Sequence, residues 1–233
     1  LANACGPLEE GGFALRFATA ERAFYSGACS GRGEALWVSD ATAEGTRVVL
    51  GTGDYRSPGP SLEVPQWVEE GEEVLFLQGG NYSSRLELWR SDGTTAGTAP
   101  LGVLSVGESV TAALHRRGPN DYLMLVEERF ASVALWKSDG TAAGTARFLE
   151  VEFEGQYSNL RSWAPIADGI AFMVGLYDPS RSELWYSDGT AAGTLIGAVL
   201  PAGVVDTPAA HDGSIYFTAG VDGEEWVWRG DGS

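Results

Sequence analysis

Short apolar runs separated by glycine, aspartate, proline and serine turns follow one another along the whole chain. Residues 61 to 104 show the pattern most clearly. Ser61 to Val68 is apolar-rich, Glu69 to Glu72 reads as a turn, and Glu73 to Leu77 is a second run. Gln78 to Arg85 is a polar loop, Leu86 to Arg90 a third run, Asp92 to Thr98 a second turn, and Ala99 to Leu104 a fourth run. Four short strands joined in this way predict an antiparallel meander. The same order recurs around Phe13 to Leu50, Ser109 to Val151, Leu160 to Val199 and Val204 to Arg229. No stretch places apolar residues at helical spacing between caps. The runs lack strict alternation, which suits strands covered on both faces.

One element repeats almost verbatim. Leu36-Trp37-Val38-Ser39-Asp40, Leu88-Trp89-Arg90-Ser91-Asp92, Leu135-Trp136-Lys137-Ser138-Asp139 and Leu184-Trp185-Tyr186-Ser187-Asp188 are close copies, and Val227-Trp228-Arg229-Gly230-Asp231 is a worn fifth. The tryptophans stand 52, 47, 49 and 43 residues apart. A period in the forties with four strands per repeat predicts one propeller blade per repeat. The expected fold is all-β: a single five-bladed β-propeller over residues 1–233, with blades near 12–51, 61–104, 108–151, 159–200 and 203–233. The fifth repeat ends before a fourth strand. Residues 1–11 are spare, and we expect them to supply it and close the ring. A fragment of a larger propeller is the alternative.

In a meander, successive connections alternate between the two ends of the strands. The Ser-Asp-Gly-Thr turns therefore share one face with the first-to-second turns, and the longer loops share the other. Asp and Thr side chains can bond their own turn backbone. One tryptophan per repeat (Trp37, Trp89, Trp136, Trp185, Trp228) reads as packing between blades. Asp40, Asp92, Asp139, Asp188 and Asp231 read as turn-forming residues. Calcium stays open as a ligand, although one carboxylate per turn is few for an ion that takes about six to eight oxygens. No other cofactor is indicated.

Glu87 to Thr98 and Glu183 to Thr194 resemble the ELWxxDGTxxGT repeat of bacterial exported and surface proteins. The resemblance covers the whole chain. It implies a propeller, mostly without assigned activity, and a secreted, periplasmic or cell-surface location. The turns also resemble, more loosely, the Asp-box of sialidase-like propellers, where they are structural. Ala41 departs from the pattern in the first repeat and Gly230 in the fifth. In this geometry Cys29 falls in the second-to-third loop of the first blade, and Cys5 enters from the same face. A Cys5–Cys29 bridge would pin the closing segment. Its loop of about 24 residues would contribute roughly 3 kcal/mol. Two free thiols are the alternative.

Charge narrows the partners. The net charge of −17 in 233 residues disfavours nucleic acid and anionic lipid. No apolar run approaches the roughly 20 residues of a membrane-spanning helix. The expected partner is a protein or a glycan, met by the loop face. Candidate contact residues are Tyr55, Arg56, Asn81, Tyr82, Arg85, Arg129, Phe130, Tyr157, Asn159, Tyr177, Asp178 and Arg181. Aromatic rings beside Asn, Asp and Arg suit sugar faces, and protein interfaces enrich the same types. Catalysis has little support. Both histidines, His115 and His211, map to first-to-second turns, so no Ser-His-Asp or multi-histidine site assembles. Paired carboxylates could hydrolyse a glycoside, but 32 acidic residues make pairs unavoidable. The chain reads as a non-enzyme: a protein-binding scaffold first, a lectin second, a hydrolase third.

Overall fold

A computed structural model describes residues 13–29, 33–51, 67–79, 85–107, 110–128, 131–153, 157–177, 180–201, 209–211, 214–221 and 224–230. Five antiparallel sheets follow in chain order, each a simple meander. Sheet one holds β1 (Phe13–Ala18), β2 (Ala23–Cys29), β3 (Gly33–Ser39) and β4 (Arg47–Leu50). Sheet two holds β5 (Trp67–Glu70), β6 (Glu73–Gly79), β7 (Leu86–Ser91) and β8 (Ala99–Ser105). Sheet three holds β9 (Val110–Gly118), β10 (Asp121–Glu128), β11 (Ser132–Ser138) and β12 (Ala146–Glu152). Sheet four holds β13 (Ser158–Ile166), β14 (Gly169–Tyr177), β15 (Ser180–Ser187) and β16 (Thr194–Pro201). Sheet five has three strands among the described residues: β17 (Ala209–His211), β18 (Ser214–Val221) and β19 (Glu224–Gly230).

The sheets stack face to face because their strands are apolar on both sides. Along β10, Leu123 and Leu125 join a core with Leu160, Phe172 and Val174 of sheet four. Tyr122, Met124 and Val126 join the opposite core, with Leu75, Leu77 and Leu88 of sheet two. Phe24 and Leu36 meet Trp67 and Phe76 across sheets one and two. Ala171 and Met173 meet Ile215 and Phe217 across sheets four and five. The first strands of neighbouring sheets approach one another, β5 to β9, β9 to β13 and β13 to β17. First strands thus lie innermost, as in the blades of a propeller.

The repeated tryptophan marks a bulge. The pairing of third and fourth strands slips at Leu36/Trp37, Leu88/Trp89, Leu135/Trp136 and Leu184/Trp185. Such an extra residue sharpens the twist of a strand pair. Trp89 packs into the core shared with sheet one, and Trp185 against the core shared with sheet three. Trp136 lies against the core shared with sheet two.

The two ends of the series are less covered. Val227 is 75% exposed, where its equivalents Leu36, Leu88, Leu135 and Leu184 are 0–2% exposed. Among the described residues, Trp37 packs in a cluster with Ala35, Tyr25 and Val48 of its own sheet. Its face opens into a cleft of about 370 Å³ that reaches Ala41 to Ala43.

Three expectations are corrected in detail. The first strand of sheet two continues through Glu69 and Glu70, leaving Gly71 and Glu72 as the turn. The first strand of sheet four begins at Ser158, before Leu160. His115 sits within β9, not in a turn, and its ring packs on Trp163 at 5.8 Å. Burial holds the His115 imidazole below the usual histidine range, and the Arg117 charge adds to this. The closing segment and Cys5 lie outside the described residues, as does the Cys29 side chain.

Candidate functional site

Two faces of the molecule present polar side chains, and they differ in how those groups are bonded. On the turn face, Asp92 Oδ1 accepts from Thr94 N at 2.7 Å and from Thr94 Oγ1 at 2.7 Å. Thr94 Oγ1 accepts from Gly97 N at 2.9 Å, and Thr98 Oγ1 donates to Thr94 O at 2.6 Å. Ser91 Oγ lies 2.7 Å from Thr98 Oγ1 and accepts from Gly93 N at 3.1 Å. The same set recurs around Asp40, Asp139 and Asp188. The Thr hydroxyl and then the Thr amide hold all four carboxyls below the usual aspartate range. Gly93, Gly140 and Gly189 adopt φ of 79° to 84°, and Ala41 takes the same region at 69°. A Cβ at Gly97 would overlap the Asp92 carboxylate, so the second glycine is required by space.

Arginines of one sheet cap the turn of the next. Arg22 donates to Asp92 O, Arg47 Nη2 to Gly93 O at 2.6 Å, and Arg117 Nη1 to Asp188 O. Between sheets two and three a carboxylate takes this place. Glu70 accepts from Arg116 Nε at 2.7 Å and Nη2 at 3.0 Å, from Tyr122 Oη at 2.8 Å and from Asn120 N at 3.3 Å. The Arg116 hydrogen bonds, seconded by that of Tyr122, hold its carboxyl down at about 2. These groups are committed to joining sheets.

The loop face is described in part. Tyr55, Arg56, Asn81, Tyr82, Arg129, Phe130, Asp178 and Asp231 lie outside the described residues. Arg85 and Arg181 have structural partners. Arg85 Nη2 pairs with Glu87 Oε1 at 2.8 Å, and Glu87 Oε2 accepts from Trp89 Nε1 at 3.2 Å. Arg181 repeats this on Glu183 at 2.9 Å, and Trp185 Nε1 donates to Glu183 Oε2 at 3.2 Å. Arg-x-Glu-x-Trp thus buttresses the tryptophans of sheets two and four.

Tyr157, Asn159 and Tyr177 come together on sheet four. Tyr177 N donates to Tyr157 O at 3.1 Å, one step beyond the Ser158–Leu176 pair. Directly opposed residues project from the same side of a sheet. The two rings are 67% and 56% exposed. Asn159 pairs with Gly175, two residues inward. Its Oδ1 is buried without a hydrogen-bond partner. A bulge between Leu160 and Ser162 adds Arg161, which is exposed and lies over Gly175. A Cβ at Gly175 would overlap Arg161 Nε and stand 2.6 Å from Asn159 Oδ1. Two aromatic faces, an amide oxygen and a guanidinium therefore converge where a side chain is missing. Such a set can stack on a planar or sugar surface while donating to and accepting from its polar edge.

Sequence reading missed Arg161, Gly175 and Glu127. Glu127 is 2% exposed on β10, at the loop-face end of the seam with sheet four. Aligning the repeats on the tryptophan partners Tyr25, Phe76, Met124, Phe172 and Phe217 places Glu127 level with Ala28, Gly79, Gly175 and Gly220. That alignment is the signal that would have found it. Among the described residues no cluster of three His, Cys, Asp or Glu side chains is arranged to hold a metal, and no helix is long and apolar enough to cross a membrane.

No family model and no curated protein matches the chain. Solved structures do. A puromycin hydrolase complexed with PGG superposes with a TM-score of 0.56 at 15% identity, over 96% of this chain and 37% of that one. A Mycobacterium tuberculosis puromycin-hydrolyzing peptidase gives 0.53 at 14% identity, over 95% and 35%. The likeness is one of fold. This chain spans little more than a third of the length of either protein. The β-propeller domain of the Trilobed protease from Pyrococcus furiosus is a more distant likeness, at 0.44 and 12% identity over 91% of this chain and 64% of that one.

Proposed function

We propose that this chain is a non-catalytic binding propeller of an exported bacterial protein, which recognises a protein partner through the face opposite the Ser-Asp-Gly-Thr turns. The exposed Tyr157–Tyr177 pair beside Asn159 and Arg161 carries the reading, because the turn-face carboxylates already receive hydrogen bonds from their own turns. Tyrosine and arginine are the residue types that anchor interfaces. The unpartnered Asn159 Oδ1 beside two rings also supports a second reading, a glycan held by stacking and hydroxyl contacts. In either case the ring is closed by residues 1–11 pairing with β19, which would cover the exposed Val227.

A Tyr157→Ala/Tyr177→Ala double variant tests the assignment. Wild type and variant are immobilised, exposed to bacterial surface extract and to a glycan array, and checked for equal melting. A protein retained by wild type and lost by the variant supports the first reading, and a glycan with the same behaviour supports the second. Retention of every ligand by the double variant, with loss in Thr190→Val on the turn face, would overturn both.

A further inference from the structure

We propose that Glu127 is a proton-operated latch that joins the inner strands of sheets three and four and thereby sets the geometry of the tyrosine patch. Its carboxyl reaches across the seam. It accepts a hydrogen bond from the Leu160 amide of β13 and another from the Thr111 hydroxyl of β9. Its Oε1 is buried with no partner. Ser158 Oγ, two residues before Leu160 and 0% exposed, is also without a partner. Tyr157 directly precedes that serine. The latch therefore grips the start of β13, which Tyr157 precedes and which carries Asn159 and Arg161.

Among the described residues, the groups facing this carboxyl are uncharged. Thr111 and Ala113 come from β9, Val133 and Leu135 from β11, Ser158 and Leu160 from β13, and Val174 and Leu176 from β14. Arg161 is exposed on the other flank, over Gly175. Burial pushes the Glu127 carboxyl up to about 7, against the two hydrogen bonds, which lower it. Protonated, the group is neutral in a neutral seam and keeps both accepted bonds. Ionised, it leaves a negative charge with one oxygen undonated, which water entering the seam must solvate. Loosening then begins at Ser158 to Leu160 and reaches the Tyr157–Tyr177 pair. No other repeat has this device, since the equivalent positions are glycine or alanine.

The coupling to binding rests on the proposed use of the loop face, but the latch is measurable without any ligand. The first readout is the Glu127 carboxyl carbon shift by NMR, titrated from pH 4 to 9. The second is the 3-fluorotyrosine resonances of Tyr157 and Tyr177, followed over the same range. The third is amide exchange of residues 157–163, corrected for intrinsic rates and referred to residues 121–126. We expect one midpoint near neutrality in all three and a loss of relative protection of about tenfold across it, the equivalent of one pKa unit. In Glu127→Gln the tyrosine and exchange transitions vanish. A Glu127 midpoint in the ordinary carboxylate range would overturn the latch, as would transitions that persist in Glu127→Gln. If Glu127→Gln fails to fold, the wild-type carboxyl titration alone decides. Failure of Tyr157→Ala/Tyr177→Ala to lose a partner would sink the binding role and leave the latch standing.

Discussion

At the turn end of sheet four, Asp188 Oδ1 accepts from the Thr190 amide and hydroxyl, and Thr190 Oγ1 accepts from Gly193 N at 3.0 Å. At the loop end of the same sheet, Ser158 Oγ and Asn159 Oδ1 are buried with no partner, and Glu127 Oε1 lies likewise across the seam. The two ends are built from the same strands, yet the repeated turn closes its own hydrogen bonds and these three loop-end groups stay open. Buried polar groups without partners are costly and native structures hold few of them. Where four turns repeat one closed network, the repeat is architecture. Where unsatisfied groups gather at the loop end of two neighbouring repeats, three and four, that is the place to look for function or switching.

Crowding each end separately gives the largest expected contrast. Gly193→Ala puts a Cβ into the Asp188 carboxylate. The carboxylate cannot move without breaking its bonds to Thr190, so we expect a loss of about 2–3 kcal/mol, read as a lower urea midpoint at unchanged slope. Gly175→Ala also collides, but with Arg161 Nε and Asn159 Oδ1, the far ends of flexible side chains. Its cost should stay below about 1 kcal/mol. Equal losses would mean that both ends are equally rigid, and the contrast would fail.

Much of the closed end was legible in the sequence. Four copies of Ser-Asp-x-Thr spaced by one period announce a recurring turn, and they fold into the same hydrogen bonds. The open end was legible only residue by residue. Tyr157 and Tyr177 stood out as loop aromatics, but their pairing spans 20 residues and depends on register. Arg161 was hidden because a bulge, not a pattern, turns it outward. Glu127 carries no mark in the sequence pattern, since only strand pairing shows that it replaces a glycine. Arg85 and Arg181 stood out as loop cations, but their pairing with Glu87 and Glu183, two residues on, shows only in the structure.

Acid–base behaviour should separate the ends next. Glu127 has a folded value of about 7, above its ordinary 4.5. The folded chain therefore holds this proton more tightly than the unfolded one. Its contribution is complete below about pH 4.5 and is lost as pH rises through about 7. Glu127→Gln removes that slope and should stabilise the chain at pH 8 by on the order of 2 kcal/mol. Urea midpoints of wild type and variant at pH 5 and pH 8 measure it. A variant that runs parallel to wild type at both pH values would show that Glu127 does not titrate in this window. At the closed end, Thr190→Val removes a hydroxyl that gives one hydrogen bond to Asp188 and takes one from Gly193. The site is exposed, so water replaces part of what is lost, and we expect about 1 kcal/mol.

The smallest effect concerns a carboxylate that is as well bonded as Glu127 is poorly bonded. Glu70 accepts from Arg116, Tyr122 and Asn120, and its carboxyl is held down at about 2 from an ordinary 4.5. A depressed folded value has the opposite sign: the contribution is present above about pH 4.5 and is lost as pH falls toward 2. The shift is large, but the side chain is 22% exposed and its Arg116 partner 37%. Water and salt reach such a pair, so most of the apparent energy is screened. Glu70→Gln keeps the shape and removes the charge. We expect it to cost less than about 1 kcal/mol at pH 7 in low salt, less again in 0.5 M sodium chloride, and nothing near pH 2. Thermal melts at the two salt concentrations check this. A loss unmoved by salt would mean that the clamp is sealed from solvent, and that Glu70 and Glu127 differ in their partners and not in their exposure.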